Sequence, residues 1–128
     1  MNPEFHPEAF EERKETVLKW ALEVRGLEKS QRIVGDNASR AITELLSAYL
    51  HKTRKVDVGF QLNHTWFKSE KVFKRLPNFE KKTKIVNKMI RLEKLCEHLS
   101  YGAPKPVGKV KEALELFEVL ERAIKGML

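Results

Sequence analysis

The 128-residue chain predicts an all-α fold, a four- to five-helix up-down bundle, and three observations carry that prediction. Apolar residues recur at three- and four-residue steps over long stretches, the period of a single helix face. Five prolines and six glycines are too few for a loop-rich β fold. The one long run where the helical period fails, Arg54 to Lys68, offers only a brief extended segment with no second strand to pair with. At this length one domain, residues 1–128, is expected to bury its core without disulfide or metal staples.

The first helix is expected from about Glu8 to Leu27, with Phe10, Val17, Trp20, Ala21, Val24 and Leu27 facing inward. Glu28 to Gly35 is polar around a short Ile33-Val34 island and reads as a connector or a helical turn. Asp36 or Asn37 is a suitable N-cap for a second helix running from Ala38 to about Thr53. Its inward face is Ala38, Ala41, Ile42, Leu45, Leu46 and Tyr49, and its small residues invite close approach by another helix. The loop from Arg54 to Lys68 is expected to be anchored by Trp66 and Phe67. A short helix, Ser69 to Leu76, follows with Val72, Phe73 and Leu76 inward and ends at Pro77. The longest helix runs from about Phe79 to Ser100 and stops at Gly102, reinforced by Pro104 and Pro106. The last, Val107 to about Lys125, is amphipathic through Val110, Leu114, Phe117, Leu120 and Ile124. No internal repeat or low-complexity segment interrupts the pattern.

Charge narrows the partners. Lys and Arg number 25 against 18 Asp and Glu, a net charge of +7. That balance favours polyanions, RNA or DNA before acidic proteins; a Lys/Glu-rich solvated surface is the other reading. A single cysteine, Cys96, excludes an internal disulfide and a thiolate zinc site. Apolar stretches are interrupted every few residues, so no membrane span is expected, and no secretory leader is recognisable. The cytoplasm is the expected compartment.

Most catalytic motifs are missing. The glycines stand alone, so no Gly-rich loop cradles a phosphate. His6, His51, His64 and His98 lie far apart without a second ligand at helical spacing, and no nucleophile elbow occurs. No metal and no cofactor is expected, and no basic recognition helix stands at helix-turn-helix spacing. What remains is Arg91 and His98, seven residues apart in the longest helix. Seven residues turn an ideal helix through about 700°, so the two share a face to within roughly 20°, about 10.5 Å apart along the axis. Lys84, Lys88 and Lys94 fall on the same mostly basic side, and Tyr101 follows the helix end. A guanidinium and an imidazole on one stripe can share a phosphate.

An arginine, then four to six residues, then a histidine, late in the penultimate major helix of a small all-α domain, resembles the signature of the HEPN superfamily. Tyr101-Gly102, the proline-containing break and the closing amphipathic helix extend the resemblance, which covers the helix order over most of the chain; only Arg91 and His98 match the motif itself. The resemblance implies a helical bundle that dimerises and brings two motif copies together. It further implies an RNA-binding protein, either a metal-independent endoribonuclease of toxin or defence type or a non-catalytic partner of an antitoxin-like or nucleotidyltransferase-associated kind. RNA carries its own nucleophile, the 2′-hydroxyl, so cleavage needs proton transfer and charge stabilisation. On this view His98 is the acid or base, Arg91 binds the phosphate, and Lys84, Lys88, Lys94 and Tyr101 contact nucleic acid. The competing use of the same residues is structural: Arg91 pairs with Glu97 or a glutamate of the last helix, His98 caps helix-end carbonyls, and Tyr101 is a packing lid. Cys96, on the apolar side of the helix, reads as a buried inert thiol.

Overall fold

Apolar side chains from every long helix meet in one core, and their spacing accounts for the helices that carry them. The computed structural model describes residues 5–128, apart from the side chains at positions 5, 6, 20–22 and 24. The inward placement expected for Trp20, Ala21 and Val24 therefore lies outside the described residues. Among the described residues five α-helices follow in order: α1 (Phe5–Glu15), α2 (Gln31–Lys52), α3 (Val72–Arg75), α4 (Lys82–Ser100) and α5 (Val107–Lys125). No strand occurs among the described residues, so the fold is all-α. The central element is α2, which packs against α1, α4 and α5, while α4 and α5 also pack on each other. No helix of the described residues is long and apolar enough to cross a membrane.

The first helix departs from a continuous run to Leu27. Its α-helical part ends at Glu15, the backbone widens to a π-helix over Thr16–Arg25, and a 3₁₀ turn follows at Leu27–Lys29. The change begins where the Thr16 hydroxyl donates to the Glu12 carbonyl at 2.9 Å, a local bond that competes with the regular ladder. Gly26, at φ +82°, turns the chain into α2.

The second helix starts seven residues before the expected Ala38, at Gln31. The Ile33-Val34 island is its opening turn, with Val34 fully buried. Neither expected cap acts as one. Asn37 Nδ2 donates back to the Ile33 carbonyl at 2.8 Å, and Asp36 accepts from the Ser100 hydroxyl at 2.8 Å. Gly35 consequently lies within the helix, against the C-terminal turn of α4. A Cβ at Gly35 would sit 2.8 Å from the Ser100 amide nitrogen and 2.9 Å from the Cys96 carbonyl, both backbone atoms. The helices touch there because no side chain separates them.

The loop before α3 contains a 3₁₀ turn, His64–Lys68, anchored by the fully buried Phe67. Trp66 packs edge-on to Phe60, ring centres 5.9 Å apart, and carries the Arg75 guanidinium 4.0 Å above its ring. The short helix is only Val72–Arg75. Its final carbonyls are met by Lys82 Nζ, which donates to Phe73 O at 3.0 Å and Leu76 O at 2.9 Å. Helix α4 begins at Lys82 rather than at Phe79, because Lys81 takes φ +60°. Phe79 instead plugs the core beside Tyr49, ring centres 5.9 Å apart. The last helix occupies Val107–Lys125 as expected.

The ends of α1 and α5 are joined by stacked Phe10 and Phe117 and by Glu121, which accepts from Lys14 at 2.7 Å and Lys125 at 2.8 Å. Burial pushes the Glu121 carboxyl up, yet the hydrogen bonds from Lys125 and Lys14 outweigh that and hold it below its usual 4.5. A lowered carboxyl contributes stability above the unfolded value and loses it as pH falls through the folded one. Replacing Glu121 by Gln is expected to lower stability by about 1 kcal/mol at neutral pH. In urea titrations the gap from the parent should close as pH drops below 4.5. Gly35→Ala is expected to lose about 1–3 kcal/mol by the same measurement, because backbone cannot rotate out of the way.

Candidate functional site

Helix α4 has two chemically different sides. On its outer side Lys84, Lys88, Arg91, Lys94 and His98 are all exposed, as their spacing predicts. Among the described residues no hydrogen bond or ion pair holds Lys84, Lys88, Lys94 or His98, so the competing use of His98 as a carbonyl cap is not formed. The Arg91 guanidinium donates through Nη2 to Glu112 of α5, the structural pairing with the last helix set out above. Arg91 keeps 64% of its side-chain surface exposed in that pair, and Glu112 keeps 28%. A pair this open to water is worth at most about 1 kcal/mol, so a phosphate can displace the carboxylate. Tyr101, 72% exposed, does not lid the core.

Tyr101 is placed by the segment after α4. Gln31 Nε2 donates to the Leu99 carbonyl at 3.1 Å, and Gln31 Oε1 accepts from the Lys105 amide at 2.6 Å. Gly102 takes φ +80° between those two ties. The start of α2 thus fixes the path of the chain past Tyr101.

The inner side of α4 carries a group that sequence reasoning missed. Glu93 faces α2 in line with Met89, Cys96 and Ser100, and its side chain is only 4% exposed. One carboxylate oxygen, Oε1, accepts from the Ser39 hydroxyl of α2 at 2.7 Å and from His64 Nδ1 of the 3₁₀ turn at 3.0 Å. Asn63 positions that histidine: its Oδ1 accepts from the Thr65 amide at 2.9 Å and the Thr65 hydroxyl at 2.8 Å, starting the turn. Two separate elements, α2 and the 3₁₀ turn, therefore converge on a single carboxylate of α4. The signal was present in the helical wheels, since Ser39 and Glu93 are polar residues at core-facing positions, where unsatisfied groups are expensive. No buried side-chain nitrogen or oxygen among the described residues lacks a partner.

A cavity of ≈ 80 Å³ adjoins this cluster, lined also by Arg40, Lys68, Glu97 and Tyr101. Cys96 borders it, but burial pushes its thiol up to about 12, so it stays protonated and unreactive near neutral pH. No group of three or more His, Cys, Asp or Glu side chains among the described residues is placed to hold a metal ion. The arrangement offers two chemistries: phosphate binding along the outer stripe, and an oriented imidazole inside the cleft. The structure does not bring the two together in one cavity; Tyr101 alone of the stripe's expected residues lines the cleft.

No family model, curated protein or solved structure matches this chain.

Ser39→Ala is expected to destabilise the protein by about 1–3 kcal/mol in urea titrations, because it strips a donor from a carboxylate already removed from water.

Proposed function

We propose that this chain is a HEPN-like RNA-binding protein: an up-down helical bundle, homodimeric, that cleaves RNA without a metal through Arg91 and His98. The supporting observation is the outer side of α4, where five basic or titratable side chains stand exposed and His98 has no partner within the described chain. Arg91 exchanges its carboxylate for a phosphate and holds it by two parallel bonds, which a lysine cannot reproduce. His98 exchanges a proton with the ribose 2′-hydroxyl or the leaving oxygen. It stands in the last turn of α4, at the negative end of the helix dipole. The same dipole repels phosphate, and Lys88 and Lys94 supply the offsetting positive field. In the dimer, the partner's stripe adds the second histidine that acid–base cleavage needs.

A second reading is favoured by the Arg91–Glu112 pair, which neutralises the motif arginine in the free chain. It makes the protein a non-catalytic partner module of the antitoxin-like or nucleotidyltransferase-associated kind.

Incubating the protein with end-labelled RNA in EDTA separates the two. The expected products carry 2′,3′-cyclic phosphates. His98→Ala should lower the rate about a hundredfold or more with its helical circular dichroism unchanged. Arg91→Lys should weaken RNA binding, and Glu112→Gln should strengthen it by freeing the guanidinium. Intact RNA with the parent chain would leave the module reading, and a monomer in sedimentation equilibrium would remove the shared-site arrangement.

A further inference from the structure

We infer that the cleft around His64 is a second ligand site, which takes a ribonucleotide unit with its 2′-hydroxyl against the His64 ring. The inference rests on the RNA-binding reading and adds to it a contact that distinguishes RNA from DNA. The geometry begins with Glu93. A carboxylate oxygen only accepts, so the 3.0 Å contact from Glu93 Oε1 requires the proton to be on His64 Nδ1. Ser39, on the same oxygen, keeps the carboxylate from turning away. In the neutral ring this leaves Nε2 as an acceptor in a fixed direction, and no hydrogen bond among the described residues occupies it. The ring is 26% exposed, open enough for a ligand to reach. An oriented acceptor at a half-open cleft suits a hydroxyl donor, and the 2′-hydroxyl is the group that RNA has and DNA lacks.

The surroundings fit the rest of a nucleotide. The ≈ 80 Å³ cavity has the scale of a sugar fragment, too small for a whole nucleotide. Arg40 and His64 also line an adjoining groove of ≈ 280 Å³, with Arg13, Asn63 and Thr65, so a strand has room to continue past the sugar. Two nearby carboxylates are engaged, Asp36 by the Ser100 hydroxyl and Glu97 by Lys68 at 3.8 Å, and a third, Glu44, lines the adjoining groove. Arg40, exposed between the two hollows, has no hydrogen bond or ion pair among the described residues and is open to a phosphate, whereas Arg13 in the same groove is held by Asn37 Oδ1 at 3.2 Å. Tyr101 stands exposed at the rim, where a base can stack on its ring.

The test is an NMR titration of the full chain with uridylyl-(3′→5′)-uridine and, separately, its 2′-deoxy counterpart. The ribo form should shift the His64 ring signals and bind about fivefold more tightly than the deoxy form, the factor one added hydrogen bond supplies. Long-range proton–nitrogen spectra, recorded at a pH where the ring is neutral, should show the Nδ1–H tautomer alone. Glu93→Gln should mix the tautomers and erase the ribo preference, and Arg40→Ala should weaken both probes alike. If Glu93→Gln does not fold, the ribo/deoxy contrast on the parent chain decides. Shifts confined to Lys88, Arg91 and Lys94, or equal affinity for both probes, would overturn the cleft site and leave the stripe reading standing. Shifts at His64 with a silent outer α4 would support the cleft and overturn the stripe, whereas no shift at either place overturns both.

Discussion

A carboxylate removed from water dictates much of how this protein is put together. Glu93 sits between α2 and α4, where an unpartnered charge would cost several kcal/mol. Its two donors come from different parts of the chain, Ser39 54 residues away and His64 29 residues away. Satisfying it therefore docks the 3₁₀ turn against the helix pair, and the buried Phe67 ring completes the attachment. The segment from Thr53 to Lys71 has little regular structure of its own, so this polar anchor and its aromatic neighbour hold it in place.

The same helix pair explains the placement of the outer stripe. At Gly35 the backbones of α2 and α4 meet without an intervening side chain, which fixes the rotation of α4 about its axis. With Glu93, Cys96 and Ser100 turned toward α2, the residues opposite on the wheel, Lys84, Arg91 and His98, have no choice but solvent. The inner and outer chemistries of α4 are thus two consequences of one packing contact.

Electrostatic pairing is unevenly distributed. Glu121 takes up Lys14 and Lys125 at the α1–α5 end, and Lys82 is spent on the carbonyls that end α3. The acidic face of α5 reaches α4 once, through Glu112. The result is a basic surface along α4 whose charges, Arg91 apart, are not neutralised within the described chain. A net charge of +7 says only that such a surface is affordable; the pairing decides where it lies.

Helical class, the bounds of α5 and the exposure of Arg91, His98, Lys84, Lys88 and Lys94 were all legible from spacing, because a period of 3.6 assigns faces without reference to any neighbour. The start of α2 was not. Asp36 and Asn37 carry N-cap chemistry, and only the packing of Val34 and the approach of Ser100 turn them into helix-interior residues. Nor was the joining of Ser39, His64 and Glu93, since a bond between residues dozens of positions apart leaves no local period. Those partners are chosen by which helices touch, and that choice is made by the whole core at once.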